Sequence, residues 1–459
     1  MNATLTMKGG KQNPRERFAI AVLICFHIVV CCVSLIHVAN SKHANLPDPW
    51  SAYFIYDPAR LAGATVVIAA FALVAVFFIF SNFSFGYFAG FYLYTMVLGY
   101  LWLSRFTDLD YDHRLAGFSA AASMIAFLLP ALLISSPFRQ MITLSESTFE
   151  RLLTFILVLA AATIAIGAFY NFRVVALSNI YDFRDQLYSP APVRYLLGIT
   201  SSALLPFSFA CFVARGQRWK AGAALVLLLL YYPITLSKLA FFAPLWLVFI
   251  AAVTSVFSAR IGVILSLFAP LLAGTMLAVF FNGQPAIYFD TVNFRMFAVP
   301  SGAFDLYNDF FSKHDLTAFC QVSFLKPVMS CPYQEQLSLV MKRAYGLGNM
   351  NASLFATEGI ASVGPWVAPG AVLVCGFAVS VGNRASAGLP PGFVLVSAAI
   401  LPHALLNVPL TTVLLTHGAG VLFLLWYVTP RAMFEANRGS LREVQQPVQP
   451  AEPQPRIVA

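Results

Sequence analysis

The sequence predicts an all-α, polytopic integral membrane protein of about twelve transmembrane helices, with one long extracytoplasmic loop between the ninth and the tenth. Three observations predict it. The 459 residues are 59% hydrophobic and only 10% charged, against roughly a quarter charged in a soluble domain, so the chain has too few charges for an ordinary wet surface. Apolar runs of about twenty residues recur along it, long enough to cross a bilayer as helices. These runs do not alternate polar and apolar, which excludes a transmembrane barrel.

Taken in order, Lys8, Lys11, Arg15 and Arg17 precede the first apolar run, 18–38. That run is longer than the apolar core of a signal peptide and further runs follow. We read it as a retained first helix behind a cytoplasmic N-terminus, 1–17. The first membrane bundle, 18–280, continues with candidate spans 61–80, 86–103, 117–135, 152–170, 196–213, 221–236, 241–257 and 261–280. A polar stretch, 281–359, separates it from a second, 360–428, with spans 360–380, 393–408 and 411–427. The last two are joined by a tight turn near Asn407 and Pro409. The remainder, 429–459, is rich in Gln, Pro and Glu after Gln445 and reads as a disordered cytoplasmic tail.

Charge orients these spans. With the N-terminus inside, the internal segments hold Arg139, Arg151, the Arg215–Lys220 turn, Arg260, Arg384, Arg431, Arg438 and Arg442. The short external loops hold Asp48, Asp57, Asp108, Asp110, Asp112, Asp182 and Asp185. This satisfies the positive-inside rule and makes 281–359 extracytoplasmic. The net charge of +9 is explained by that bias, since no clustered basic module points to nucleic acid. No internal repeat is visible and the halves differ in loop length, against the symmetry common in transporters.

A long connection usually has a purpose. This one carries Asp290, Arg295, Asp305, Asp309, His314, Glu335, Asn351 and Glu358. Its aromatic residues suit helices that lie on the membrane or cap the bundle. Pro300-Ser301-Gly302 ends one segment, and Ser301 is a natural N-cap for another. Cys320 and Cys331 are its pair of cysteines, and an oxidising compartment favours a bridge between them. Cys25, Cys31, Cys32, Cys211 and Cys375 fall in apolar spans as small hydrophobes. No cysteine or histidine spacing suggests a metal, and no nucleotide fingerprint appears, so no cofactor is expected.

Four constellations can carry chemistry. Tyr181-Asp-Phe-Arg184, with Arg173 and Arg194 near it, offers guanidinium forks that suit phosphate; pairing with Asp182, Asp185 or lipid headgroups is the plainer use. Lys238, in Thr235-Leu-Ser-Lys238, is an ionisable residue at the edge of the membrane, either functional or snorkelling to headgroups. Arg295, flanked by aromatic residues, is an anion ligand or an interfacial anchor. Asn351 and Glu358 are seven apart, which on a helix places them on one face. Glu358 is then either paired with Lys342 or Arg343 or tuned as a general base. His403 and His417, in apolar runs, read as core histidines.

The Tyr-Asp-x-Arg loop, Ser237-Lys238, Asn293-Phe-Arg295 with Val299-Pro300-Ser301, and Asn351 with Thr357-Glu358-Gly resemble the bacterial O-antigen polymerases of the oligosaccharide repeat unit polymerase group. The likeness runs from about residue 152 to residue 427 and rests on topology and short motifs. It implies a metal-independent, inverting glycosyltransferase at the periplasmic face of the inner membrane, with both termini cytoplasmic. Such an enzyme transfers a growing glycan from undecaprenyl diphosphate to a sugar hydroxyl of a lipid-linked repeat unit, giving O-antigen, capsule or exopolysaccharide. The resemblance makes Arg173, Arg184, Lys238 and Arg295 diphosphate ligands, Glu358 the base and Asn351 a residue that orients a sugar or that carboxylate. Its implied partners are the bilayer, undecaprenyl-diphosphate-linked glycans and a chain-length regulator. The sequence departs from the family in one motif: ten residues beyond Arg173, Arg184 and Arg295, where some of these polymerases carry Gly, stand Arg184, Tyr195 and Leu306. A histidine with catalytic weight in related ligases has a counterpart only if His314 serves. The alternatives are an O-antigen ligase-like glycosyltransferase and a transporter or flippase for lipid-linked sugars.

Overall fold

The bundle is built around its most tyrosine-rich helix, not its most apolar one. The computed structural model describes residues 14–40, 53–281 and 286–434, apart from 177–179, 181, 182, 184, 185, 323, 324, 326 and 348. The first helices in chain order are α1 (Pro14–Asn40), α2 (Pro58–Phe80), α3 (Phe85–Leu103), α4 (His113–Leu133) and α5 (Glu146–Tyr170). They are followed by α6 (Ala191–Ala214), α7 (Arg218–Leu230), α8 (Lys238–Val256) and α9 (Ala259–Phe280). Next come α10 (Val299–Phe311), α11 (Leu337–Tyr345) and α12 (Phe355–Ser386). The chain closes with α13 (Pro391–Ser397), α14 (Leu401–Leu405), α15 (Leu410–Leu415) and α16 (Ala419–Val428). Among the described residues, eight helices are long and apolar enough to cross a membrane: α1, α2, α4, α5, α6, α8, α9 and α12. The protein is therefore an all-helical, multi-pass membrane protein; a single isolated bridge, Phe54 with Thr107, is the extent of extended pairing described.

All 19 residues of α3 are buried, so it meets other helices on every side rather than lipid. A helix in that position can carry Tyr87, Tyr92, Tyr94 and Tyr100 against protein: the Tyr92 and Tyr100 hydroxyls find protein partners, whereas those of Tyr87 and Tyr94 have none among the described residues. Tyr92 Oη lies 2.9 Å from Ser266 Oγ of α9. Thr95 Oγ1 lies 2.9 Å from His27 Nε2 of α1. At its N-terminus, Ser84 Oγ accepts from Tyr87 N, and the Gly86 amide donates to Asn383 Oδ1 of α12 at 2.6 Å. Asn383 in turn donates to Ala131 O of α4 at 2.7 Å. A Cβ at Gly86 would run into that same Ala131 carbonyl.

Two differently charged ends result. At one end Arg260 donates to Ile79 O at 2.6 Å, Arg215 pairs with Glu150, and Arg431 donates to Ala385 O at 2.9 Å. Arg260 and Arg431 thus cap carbonyls at the ends of α2 and α12, which their charge favours. At the other end Asp112 caps α4 through Arg114 N and Leu115 N, and Asp108 pairs with Arg60 at 3.3 Å. We call these the basic and the acidic end.

The stretch after α9 differs from expectation. The described part from Ala286 to Phe311 is one helical run, α10 being preceded by Ala286–Phe289 and a π-helical segment, Asp290–Ala298. Every residue of α10 is buried against α3, α11 and α12. Its aromatic residues therefore face protein, as a helix capping the bundle would, rather than an open surface. Ser301 does not begin a new segment; its hydroxyl donates to Phe297 O at 2.9 Å and to Met96 O of α3 at 3.1 Å. Pro300 is absorbed because the widened π turns before it already break the regular ladder in which its missing N–H would leave a gap.

Gly86→Ala is expected to lower the stability of the protein in lipid nanodiscs by about 1–3 kcal/mol, because its methyl meets backbone rather than a flexible side chain. Gly222→Ala, where open space surrounds the new Cβ, is the control and should not destabilise. Equal thermal unfolding of both variants would contradict this packing.

Candidate active site

Near the acidic end, α5 to α8 part around a cavity of about 290 Å³. Its polar lining comes from residues far apart in sequence: Asn171 and Ser189 from the α5–α6 connection, Arg194, Ser201 and Ser202 from α6, Thr235 and Ser237 before α8, and His417 after α15. Leu197, Leu228, Ile234, Leu239 and Ala243 form the apolar wall. Arg194 is exposed on the rim. Ser202 Oγ lies 3.2 Å from His417 Nδ1.

Local chemistry explains the shape. In α6 the segment Thr200–Leu204 is π-helical and precedes Pro206. The wider turn displaces Ser201 and Ser202 from the positions an α-helix would give them, as π turns do at many functional sites. Gly198 leaves no room for a side chain beside Thr416 O, so α6 and the turn carrying His417 touch backbone to backbone. Between Tyr232–Thr235 and α8, Leu236 is fully buried at φ +43°. A branched residue held left-handed is a strained corner, here placed between two lining residues. Asn171 Nδ2 closes the α5–α6 connection by donating to Tyr188 O at 2.7 Å and Ser189 Oγ at 3.1 Å.

The expected site residues divide around this cavity. Arg173 is exposed at its border; its amide donates to Pro233 O at 2.9 Å, its guanidinium to Gln186 Oε1 at 2.9 Å, and it covers the Phe183 ring. Lys238 is half-buried at the start of α8, between the lining residues Ser237 and Leu239. Arg184 lies outside the described residues. Arg295 is half-buried on the π segment before α10, which packs on α1, α3 and α9, none of which lines the cavity. The structure does not bring Arg295 to the other cations.

Glu358 is also separate from the cavity wall. It is buried in the π-helical start of α12, where Thr357 Oγ1 donates to Oε2 at 2.6 Å and the Thr411 amide approaches Oε1 at 3.4 Å. The carboxylate thus meets the amino end of α15, whose far end leads to His417 about 9 Å on. Neither basic residue expected to pair with it is bonded to it: Arg343 pairs with Glu335. Asn351 does not share a helical face with Glu358, because 351–353 lie outside any helix and the helical ladder begins only where Ser353 O accepts from Thr357 N.

Cys320 and Cys331 form a disulfide across 11 residues, with Cα atoms 5.4 Å apart. The segment just before Cys320 is stitched to α12 beside Glu358 by Thr317 N to Ala361 O at 2.8 Å and Ala318 N to Ser362 O at 3.1 Å. His314 Nδ1 lies 2.8 Å from Phe310 O and its ring stacks on Phe310. His403 is a core histidine, between Tyr92 and Trp246. His417, expected in the core, instead faces the cavity. Sequence reasoning missed Ser201, Ser202 and Asn171 as well; the Thr-Ser-Ser run just before Pro206 was the available signal. Among the described residues no group of His, Cys, Asp and Glu could hold a metal ion. No family model, no curated protein and no solved structure matches this chain.

Because the Glu358 carboxylate accepts from the Thr357 hydroxyl and the Thr411 amide that starts α15, Glu358→Ala should destabilise the protein by about 1–3 kcal/mol, and Glu358→Gln by less, since its amide oxygen still accepts. Thermal unfolding in nanodiscs measures both. Equal, unchanged midpoints would show that the carboxylate does not support α15.

Proposed function

We propose that this protein polymerises lipid-linked oligosaccharide repeat units, as the bacterial O-antigen polymerases that its sequence resembles do. The cavity at the acidic end carries this reading. A rim of arginine, amide and hydroxyl groups above a wall of leucine and alanine suits an amphiphile whose head is anionic and whose tail stays in lipid. Undecaprenyl diphosphate carrying a glycan has that chemistry. Arg194, with Arg173 and Lys238 around the rim, supplies positive charge for the diphosphate that departs, and Arg184, outside the described residues, is proposed to add to it.

In the transfer, a sugar hydroxyl of a second lipid-linked repeat unit attacks the anomeric carbon of the donor glycan. The bond from that carbon to the diphosphate oxygen breaks with inversion, its electron pair leaving on undecaprenyl diphosphate, and the hydroxyl proton passes to a base. His417 is the proton acceptor that faces the cavity. Glu358 and Asn351 then act away from the reacting atoms, Glu358 by holding the short helix that presents His417. Arg295 is too remote in the packing for donor binding and serves as an anchor.

This reading also fixes topology. α3, α7, α13 with α14, and α15 with α16 join the eight long apolar helices to make about twelve crossings. The basic end is cytoplasmic, with both termini, and the acidic end is periplasmic, in the inner membrane of a bacterium.

Deletion of the gene, followed by gel analysis of lipopolysaccharide and exopolysaccharide, tests the proposal. A ladder reduced to a single-repeat band and restored by the wild-type gene is the expected result. Arg194→Gln and His417→Ala should each restore it at least about tenfold less well, as expected for loss of a charge-stabilising or proton-accepting group. An unchanged profile in the deletion overturns the proposal. Loss of every repeat, leaving bare core, would favour the ligase or flippase.

A further inference from the structure

α10 carries an acid that, among the described residues, no cation meets. Asp305 is fully buried; Tyr111 Oη donates to its Oδ1, and among the described residues its Oδ2 has no hydrogen-bond partner. Tyr100 Oη, from α3, stands 3.3 Å from Tyr111 Oη. One turn further along α10, Asp309 has what Asp305 lacks: Lys313 Nζ at 2.6 Å and Tyr345 Oη at 2.6 Å. A buried carboxylate without a counter-ion is strongly disfavoured, and such a group takes up a proton instead.

The surroundings offer no better partner. From α10 itself come Asp309 and Lys313, already joined. α3 contributes Tyr100, and the connection after it Tyr111, with the His113 ring 4.0 Å from that of Tyr111. Asp108 on that connection pairs with Arg60, while Arg105, Asp110 and Asp112 flank it, Asp112 capping α4. α11 presents Tyr345, bonded to Asp309, then Lys342, and Arg343, bonded to Glu335. The start of α12 presents Glu358, turned to Thr357 and Thr411. Asp290 and Arg295 lie on the π segment, Arg295 about three turns before Asp305.

We propose that Asp305 is a proton-binding site that latches α10 to the acidic end of α3. Protonated, it stays seated against Tyr111; ionised, it repels Asp309 and loosens the contact between α10 and the α3–α4 connection. Burial, first, pushes the Asp305 carboxyl up to about 7, the Tyr111 and Thr107 hydroxyls pull it back, and the Asp309 charge raises it again. The folded protein thus holds this proton at pH values where the unfolded chain, with an ordinary carboxyl near 3.9, has lost it. The stabilisation is complete below about 4 and disappears as pH rises through about 7. The latch is independent of what the cavity binds.

Amide hydrogen exchange of the full-length protein in nanodiscs, at pH 5.5 and pH 8 and scaled for intrinsic exchange, tests it. In the wild type, residues 104–112 and 299–311 should exchange about thirtyfold faster at pH 8 than at pH 5.5, a factor of about ten for each of the roughly one and a half units between 5.5 and the Asp305 carboxyl at about 7. Asp305→Asn, which cannot ionise, should abolish the difference. Tyr111→Phe removes a donor that favours the ionised form and should move the midpoint to higher pH. A wild type without the difference, an Asp305→Asn variant that retains it, or a Tyr111→Phe midpoint that stays or falls overturns the proposal.

Discussion

Complete enclosure of α3 is the constraint on which the other helices depend. In lipid, apolar side chains gain little by leaving one hydrocarbon surface for another, so packing and hydrogen bonds decide which helix sits where. α3 supplies both. Gly86 lets α4 close in at one end, and Gly99 leaves the space that Ser301 of α10 fills at the other. Between them, Tyr92 fixes α9 and Thr95 meets α1. The acidic end inherits its geometry from this: the Tyr111–Asp305 contact exists because α10 is seated against the last turns of α3.

Three described helices contain π-helical stretches, Thr200–Leu204, Asp290–Ala298 and Phe355–Ile360. Each is followed within a few residues by proline: Pro206, Pro300 and Pro365. Proline cannot donate to the preceding turn, and a widened turn is one way to accommodate the gap. The consequence is positional. The first π stretch turns Ser201 and Ser202 to the cavity, the second carries Arg295 and leads into Asp305, and the third buries Glu358. In α12 the distortion ends at Gly364, at φ +71°, a conformation that favours glycine.

The membrane class was legible because long apolar runs such as those of α1, α5 and α9 have one physical explanation. Less was legible wherever a helix meets protein instead of lipid. α3 looks unexceptional in sequence, although its tyrosines are what enclosure permits. The aromatic residues of α10 fit a membrane surface as well as a protein groove, and only tertiary packing distinguishes them. The Asn351–Glu358 spacing presumed an unbroken helix, whereas the chain is not helical until after Ser353. The Cys320–Cys331 bridge was readable from local pattern. Ser202 and His417 were not, being 215 residues apart and joined by a backbone approach at Gly198.

The account holds that the cavity between α5 and α8 is where a lipid-linked glycan is extended. The most direct test is purified protein in nanodiscs incubated with undecaprenyl-diphosphate-linked repeat units, following glycan length and the release of undecaprenyl diphosphate. Stepwise lengthening, with one undecaprenyl diphosphate released per bond and loss of both when Arg194 is neutralised, is the predicted result. Lipid-linked repeat units that remain single, or that cross the bilayer unchanged, would contradict it.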